Sequence, residues 1–228
     1  MKRLIIFILF SCILSFSFTG PAHAMITGVL TADNHYGLYH GLSDGSGFTF
    51  VGRNEIGTPG SPGAFNWSLP ETWNFSAGSS EYLYVVAWDA GSVQMWIGDF
   101  TFFPNGSKLL SNTTDWEYYI SSNSNPGDVG SVPLLATLAA EINAAAWSYP
   151  LLASAPQGTA PWGVIPGVDA SAKFVWHDTL GSSSSSDNNY VIYRSHNPIS
   201  AYDVPEPMTL VLLGTGLAGA AFRRKFNL

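Results

Sequence analysis

Apolar side chains recur at every second position through much of the middle of this chain, in short runs. A period of two puts one face of a strand against a core and the other toward solvent. Stretches rich in Gly, Pro, Asn, Asp and Ser separate the runs, and these residue types favour turns. We predict strands near residues 25–32, 36–40, 48–54, 72–75, 81–89, 93–103, 116–120, 172–177 and 190–195. Many short strands between turns predict a mainly β fold, an antiparallel β-sandwich.

One segment departs from the strand pattern. Leu134, Leu138 and Ile142 recur near helical spacing, and alanines fill several positions between and after them. Pro150 stands just beyond the segment as a stop. We therefore predict one inserted helix near residues 133–147, packed over one end or edge of a sheet.

The first two dozen residues have the pattern of an export signal. Lys2 and Arg3 precede an apolar stretch from residue 4 to about residue 18. Ala22-His23-Ala24 then supplies the small-x-small pattern that signal peptidase cuts before Met25. We predict a signal peptide at residues 1–24 and a mature chain that begins at Met25.

A lipoprotein signal acylated at Cys12 is the alternative interpretation of the leader. The residues before that cysteine need small side chains, and Phe10 is too large for its position. Removal of the leader also removes the chain's one cysteine. Disulfides are therefore expected to contribute nothing to the stability of the mature chain.

The chain ends in an extended motif, an apolar run and a basic cluster. Val204-Pro205-Glu206-Pro207 stays extended, because each proline fixes its own φ and biases the preceding residue away from the helical region. The run at 208–222 counts fifteen residues, about 22 Å as a helix against a hydrocarbon core of about 30 Å. Arg223, Arg224 and Lys225 reach the interface with their long stems and favour the cytoplasmic side. We predict a body at 25–200 and a tail at 201–228, with one transmembrane helix at 208–222 and a basic membrane stop at 223–225.

The order of these parts resembles the PEP-CTERM sorting signal of Gram-negative bacteria, and the Leu-, Gly- and Ala-rich run at 210–221 is typical of the family helix. The resemblance implies processing near Pro205-Glu206-Pro207 by exosortase, a membrane-embedded cysteine protease. It also implies transient tethering to the inner membrane, delivery to the cell surface, outer membrane or extracellular matrix, and an association with exopolysaccharide and biofilm. An ordinary membrane anchor with an accidental Pro-Glu-Pro is the alternative.

Charge distinguishes the body from the two ends. Residues 25–203 contain four Lys and Arg against fifteen Asp and Glu, a net charge of −11, whereas the whole chain carries −7. Such a surface repels nucleic acid, because binding it depends on cationic neutralisation of phosphates. We expect no nucleic-acid partner, and divalent cations, neutral sugars and basic partners remain open.

The body also resembles galactose-binding-like jelly-roll modules. Leu30-Thr31-Ala32-Asp33-Asn34-His35-Tyr36-Gly37-Leu38-Tyr39 matches the opening of such modules, and residues 71–75, 83–89 and 172–177 fall where they place core strands. The resemblance implies a jelly-roll-like sandwich, which more often binds than catalyses.

Two kinds of ligand site are candidates in the body. Asp33 and Asn34 close a strand and offer oxygen ligands for calcium, with Asp44, Asp89, Asp178 and Asp187 as further ligands if their loops converge. Trp88, Asp89 and Trp96 offer the residue types of a sugar site. The alternatives are turn-capping acids and core tryptophans.

Catalytic patterns are missing from the sequence. Gly41-Leu42-Ser43-Asp44-Gly45 matches G-x-S-x-G, but it leads into a predicted strand rather than the helix that a nucleophile elbow requires. We predict no catalytic residues, no required cofactor and a non-enzymatic exported protein. A carbohydrate- or calcium-binding adhesin is the first alternative, and a secreted hydrolase is the second.

Overall fold

The computed structural model describes residues 23–54, 66–89, 91, 93–127, 132–180 and 188–202. Outside the described residues lie positions 1–22 of the predicted signal peptide, Asp187, and positions 203–228 of the predicted tail. The domain boundaries at 24 and 200 therefore stay predictions.

The described residues form strands, one α-helix and one turn of 3-10 helix. In chain order they are β1 (His23–Asp33), β2 (His35–Gly41), β3 (Thr49–Arg53), β4 (Glu71–Gly78), β5 (Tyr82–Trp88), β6 (Met95–Phe103), β7 (Lys108–Leu110), β8 (Trp116–Ser124), α1 (Leu135–Ala144), β9 (Ala153–Pro156), β10 (Lys173–Trp176), β11 (Asn189–Ser195) and the 3-10 turn (Ile199–Ala201).

The strands make two antiparallel sheets. Sheet A has the order β4-β1-β6-β10-β9, with β7 also paired to β6, and sheet B has the order β3-β2-β5-β11-β8. Every strand pair among the described residues is antiparallel. A mainly β fold with antiparallel sheets and one helix is thereby confirmed.

Inward-facing side chains of both sheets share one core. Ile26 and Phe100 from sheet A and Val85 and Val191 from sheet B belong to a single buried cluster. Their neighbours along each strand point the other way, as the period of two requires. Two sheets that bury one face each against the other have the architecture of a β-sandwich. The finer resemblance to a jelly roll stays a prediction.

The outer face of each sheet is also covered over part of its area. Leu138 and Ile142 of α1 pack over the outer face of sheet B, in a cluster with Val86 and Trp88. The segment between β9 and β10 covers sheet A, where Trp162 packs with buried residues of β6 and β10. Trp88 is therefore buried although it points away from the central core.

The polar side chain of Glu141 fixes α1 on sheet B. Its carboxylate accepts hydrogen bonds from Ser121 Oγ at 2.6 Å, from Asn123 Nδ2 at 3.0 Å and from the Tyr190 hydroxyl. Burial raises the pKa of Tyr190 to about 12, and the hydrogen bond to Glu141 adds to the rise. Three donors from β8 and β11 compensate for the cost of burying this acid.

The helix is shorter than the predicted 133–147. It begins at Leu135, because Leu134 is extended with ψ of 137°, and it ends at Ala144, because Ala145 is extended with ψ of 128°. Beyond the helix, Ser148 exchanges backbone hydrogen bonds with Tyr118 of β8, both at 2.9 Å. A chain that must reach this bridge cannot continue as a helix to Trp147.

Strand boundaries also differ from the prediction. The sequence did not predict β7 and β9, which are short and are defined by their pairing with β6 and β10. β1 begins at His23, two residues before the predicted N-terminus of the mature chain at Met25. Ala24 is buried opposite Ala77 of β4. Pairing partners decide these boundaries, because a three- or four-residue strand has too little pattern to be recognised by itself.

We expect Leu138→Ala to lower the free energy of unfolding by about 2–5 kcal/mol, because the side chain is fully buried between α1 and sheet B and its removal leaves a cavity. Leu135→Ala, on the exposed side of the same helix, is the matched control and should change it by less than about 0.5 kcal/mol. Urea unfolding followed by tryptophan fluorescence measures both. Equal losses from the two variants would show that α1 does not pack as described.

Candidate functional site

Four of the residues predicted to bind a ligand lie at one end of the sandwich. Asp33 ends β1, and Asn34 links it to β2 in the other sheet. His35 then pairs with Trp88 at the end of β5, and Asp33 pairs with Met95 at the start of β6. The structure therefore brings together Asp33, Asn34, Trp88 and Asp89, which we call the Asp33 corner.

Asp33 is held by side chains on both of its oxygens. Its Oδ2 accepts the Trp162 Nε1–H at 2.8 Å, and its Oδ1 accepts Asn34 Nδ2 at 3.2 Å. Burial raises the pKa of the carboxyl, while the hydrogen bond from Trp162 acts in the opposite direction. The carboxylate thus ties the turn between β1 and β2 to the segment that covers sheet A.

Asn34 and Asn54 join the corner to the end of β3. Asn54 Nδ2 donates to the Asn34 carbonyl at 2.7 Å, and Asn54 Oδ1 accepts the Tyr36 N–H at 3.0 Å. Arg53 Nε donates to the Asn54 carbonyl at 3.1 Å, and its guanidinium lies 5.6 Å from the centre of the Trp88 ring. These contacts serve the backbone of the fold, which is the role of polar groups at a buried turn.

Neither candidate tryptophan has an exposed ring face. Trp88 is fully buried, stacks on His35 at 5.2 Å between ring centres, and donates from Nε1 to the Gly127 carbonyl at 3.2 Å. Trp96 is fully buried between the sheets, with its ring centre 4.8 Å from that of Trp116. A sugar that stacked on either ring would have to enter the core.

The other candidate acids form no metal-binding group with Asp33 among the described residues. Asp44 is exposed in the turn after β2, where Oδ1 accepts Ser46 N–H at 2.9 Å and Ser46 Oγ–H at 2.7 Å; these bonds lower its pKa. Asp89 is 2 % exposed, and its carbonyl accepts Asn125 Nδ2. Among the described residues no three His, Cys, Asp or Glu side chains form a group that could hold a metal ion.

An aromatic pair on the surface was not predicted from the sequence. Tyr149 is 49 % exposed and stacks on His196, with 4.2 Å between ring centres and 18° between the planes. Glu117 Oε2 lies 3.8 Å from His196 Nδ1, and its Oε1 binds Arg194. Nothing in the local sequence pairs these residues, because the bridge of Ser148 to β8 is what brings Tyr149 beside the end of β11.

The chain is fixed to the body up to the last described residue. Tyr202 stacks on Phe102 at 5.2 Å, and its carbonyl accepts hydrogen bonds from Asn105 Nδ2 at 2.9 Å and from Ser107 Oγ. Burial raises the pKa of its hydroxyl to about 12. The described residues end here, two residues into the predicted tail at 201–228.

The described residues form an acidic β-sandwich whose polar corner serves the fold. A family model of the PEP-CTERM protein-sorting motif matches residues 203–225. No curated protein and no solved structure matches the chain.

The chain therefore carries a PEP-CTERM sorting motif, which includes Val204-Pro205-Glu206-Pro207 and the basic residues Arg223, Arg224 and Lys225. This motif marks an exported protein that passes through the membrane and is processed by exosortase. None of the helices in the described part of the chain is long and apolar enough to cross a membrane. The predicted helix at 208–222 lies outside that part.

We expect Asp33→Ala to lower the free energy of unfolding by about 1–3 kcal/mol, because it leaves the buried Trp162 N–H without its acceptor. Asp33→Asn keeps an oxygen at that place and should cost less. Urea unfolding of both variants and the wild type measures the difference, and equal costs would contradict the role given to the hydrogen bond.

The same variants test the ionisation of Asp33. Because burial raises its pKa, the folded state keeps the proton to higher pH than the unfolded chain does. The contribution of Asp33 to the free energy of unfolding therefore falls as pH rises from about 4, the usual pKa of this carboxyl in the unfolded chain, through the raised pKa of the folded state. The amide in Asp33→Asn cannot ionise, so this variant should lose less stability than the wild type over the same increase in pH.

Proposed function

We propose that this protein is a non-enzymatic component of the cell surface or extracellular matrix, delivered there with exopolysaccharide. The sorting motif at 203–225 carries the proposal, because it couples export to removal of the tail. In this route the apolar run holds the chain in the inner membrane while exosortase acts near Pro205-Glu206-Pro207. The acidic body is then released to its final place.

Local structure supports the non-enzymatic part of the proposal. Gly41-Leu42-Ser43-Asp44-Gly45 connects β2 to β3, so the G-x-S-x-G pattern lies in a strand-to-strand turn and lacks the helix of a nucleophile elbow. The Ser43 carbonyl accepts a hydrogen bond from Arg194. A secreted hydrolase remains the competing class, and turnover of a polysaccharide by the purified protein would establish it.

The Tyr149–His196 pair favours a second candidate function, a carbohydrate-binding adhesin. Exposed aromatic faces beside a carboxylate are the surface on which neutral sugars stack and form hydrogen bonds. Tyr149 and His196 are exposed and Glu117 lies next to them, whereas Trp88 and Trp96 are fully buried. We therefore propose the Tyr149–His196 pair, rather than the tryptophans, as the sugar site. A requirement for calcium is an additional proposal.

We expect Glu206→Gln to slow tail removal about tenfold or more, equivalent to about 1.4 kcal/mol of transition-state stabilisation. The charge lost is the one bracketed by Pro205 and Pro207. Intact-mass measurement of the protein from membrane and external fractions reports the change. Asp44→Asn, an exposed acid-to-amide change on the body, is the control and should leave processing unchanged. Normal processing of Glu206→Gln would refute the role of the carboxylate.

We expect Tyr149→Ala to weaken retention by the producing cells' own exopolysaccharide by about 2- to 12-fold, the equivalent of an aromatic stacking contribution of about 0.5–1.5 kcal/mol. Affinity electrophoresis through gels that contain the polysaccharide measures retention. Leu152→Ala, which removes a 69 % exposed side chain, is the control. Equal retention of both variants and the wild type would count against the adhesin.

A further inference from the structure

Both ends of the described body leave the sandwich at the same end, opposite the Asp33 corner. His23, the first residue of β1, pairs with Gly78 at the end of β4. At the other terminus the Ser200 N–H donates to the Ser79 carbonyl at 2.8 Å, and Tyr202 binds the turn after β6. We call the surface made by residues 23–25, 78–81, 103–107 and 198–202 the exit face.

Only a short segment of the tail connects this face to the apolar run. Tyr202 is bonded to Asn105 and Ser107, and Met208 is the sixth residue after it. Six residues span at most about 22 Å when fully extended. A body of this length has a radius of gyration of about 16 Å and is therefore about 40 Å across. A tether shorter than the body keeps the exit face as the part nearest to the start of the apolar run.

The exit face carries an exposed apolar pair. Met25 on β1 and Phe103 on β6 are direct cross-strand partners, so their side chains lie on the same face of sheet A. Met25 is 56 % exposed and Phe103 is 47 % exposed. The sandwich leaves these two side chains in water at the end from which the tail departs.

The exit face also differs from the rest of the body in charge. In the mature chain, which is predicted to begin at Met25, the exposed side chains of this face are uncharged: Met25, Ser80, Phe103, Pro104, Asn105, Gly106, Ser200 and Ala201. Glu81, the one carboxylate of the four segments, is partly buried and accepts hydrogen bonds from the Gly78 N–H and from His40 Nδ1. A body of net charge −11 is repelled by anionic headgroups. Because its exposed side chains are uncharged, this face meets less repulsion from those headgroups than an acidic surface would.

We propose that the exit face lies against the lipid headgroups while the tail is in the membrane, with Met25 and Phe103 inserted at the interface. The inference rests on the membrane transit that the sorting motif implies. The tether supplies a high local concentration, so an apolar pair too small to bind a membrane by itself is enough to orient the body. Removal of the tail removes that advantage and releases the face.

Site-specific fluorescence on the tail-bearing chain tests the orientation. The background is the predicted mature chain from Met25, which contains no cysteine other than the introduced one, with Glu206→Gln to retain the tail. Ser80→Cys places an environment-sensitive label on the exit face, and Ser124→Cys places it on an exposed position at the other end of β8. The labelled chains are reconstituted in vesicles of zwitterionic and anionic phospholipids that include a lipid with a quencher on its headgroup.

An interfacial face lies within about 10 Å of the headgroup boundary, so we expect the label at position 80 to lose roughly half of its emission and the label at position 124 to lose little. Phe103→Glu should remove most of the quenching at position 80. Val164→Glu, at a side chain 70 % exposed and outside the exit face, should leave it unchanged.

Co-flotation of protein and vesicles separates the two ways to fail. A chain that does not float refutes the membrane tether, and with it this inference. A chain that floats, with equally weak quenching at both positions, refutes the inference and leaves the tether intact. Quenching at position 80 that persists in Phe103→Glu would overturn the inference, because tether length alone would then explain the quenching. Protection of that label from solvent only after the protease is added would also overturn it, because contact with the protease would then explain the result.

Discussion

The pairing of β1 with both β4 and β6 is the constraint on which the rest of the structure depends. This strand runs the length of sheet A, from His23 at the exit face to Asp33 at the opposite corner. Its inward residues, such as Ile26 and Leu30, enter the core shared with sheet B, and β2 begins in that sheet after a single intervening residue. Apolar burial and backbone pairing must carry stability in the body, because the chain's one cysteine lies in the leader.

The opposite corner shows why polar residues at a strand end are ambiguous in a sequence. Asp33 and Asn54 have the types of metal or sugar ligands, yet the side chain of each is hydrogen-bonded to another part of the fold. A turn that carries the chain from one sheet to the other leaves backbone groups without strand partners, and side chains nearby must satisfy them. The same side chains in an open loop would have been free to bind a ligand.

Delivery and placement belong to different parts of this protein. The sorting motif occupies 203–225 and carries the address, while the fold determines which face of the body stands next to it. The strong negative charge of the body opposes contact with anionic lipid everywhere except where exposed charges are absent. The sorting motif and the orientation of the body at the membrane are thus linked through Tyr202, the last described residue, which is hydrogen-bonded to the body.

The sequence by itself determined the mainly β architecture, most strand positions and the sorting motif, because periodicity and a contiguous motif are local properties of the chain. Only the tertiary structure decided that β7 and β9 form, that α1 stops at Ala144, and that Trp88 and Trp96 are buried while Tyr149 is exposed beside His196. Each of those outcomes depends on residues far apart in sequence. Contacts of that kind are fixed by which sheet faces meet, and a local pattern of apolar and polar positions does not contain that information.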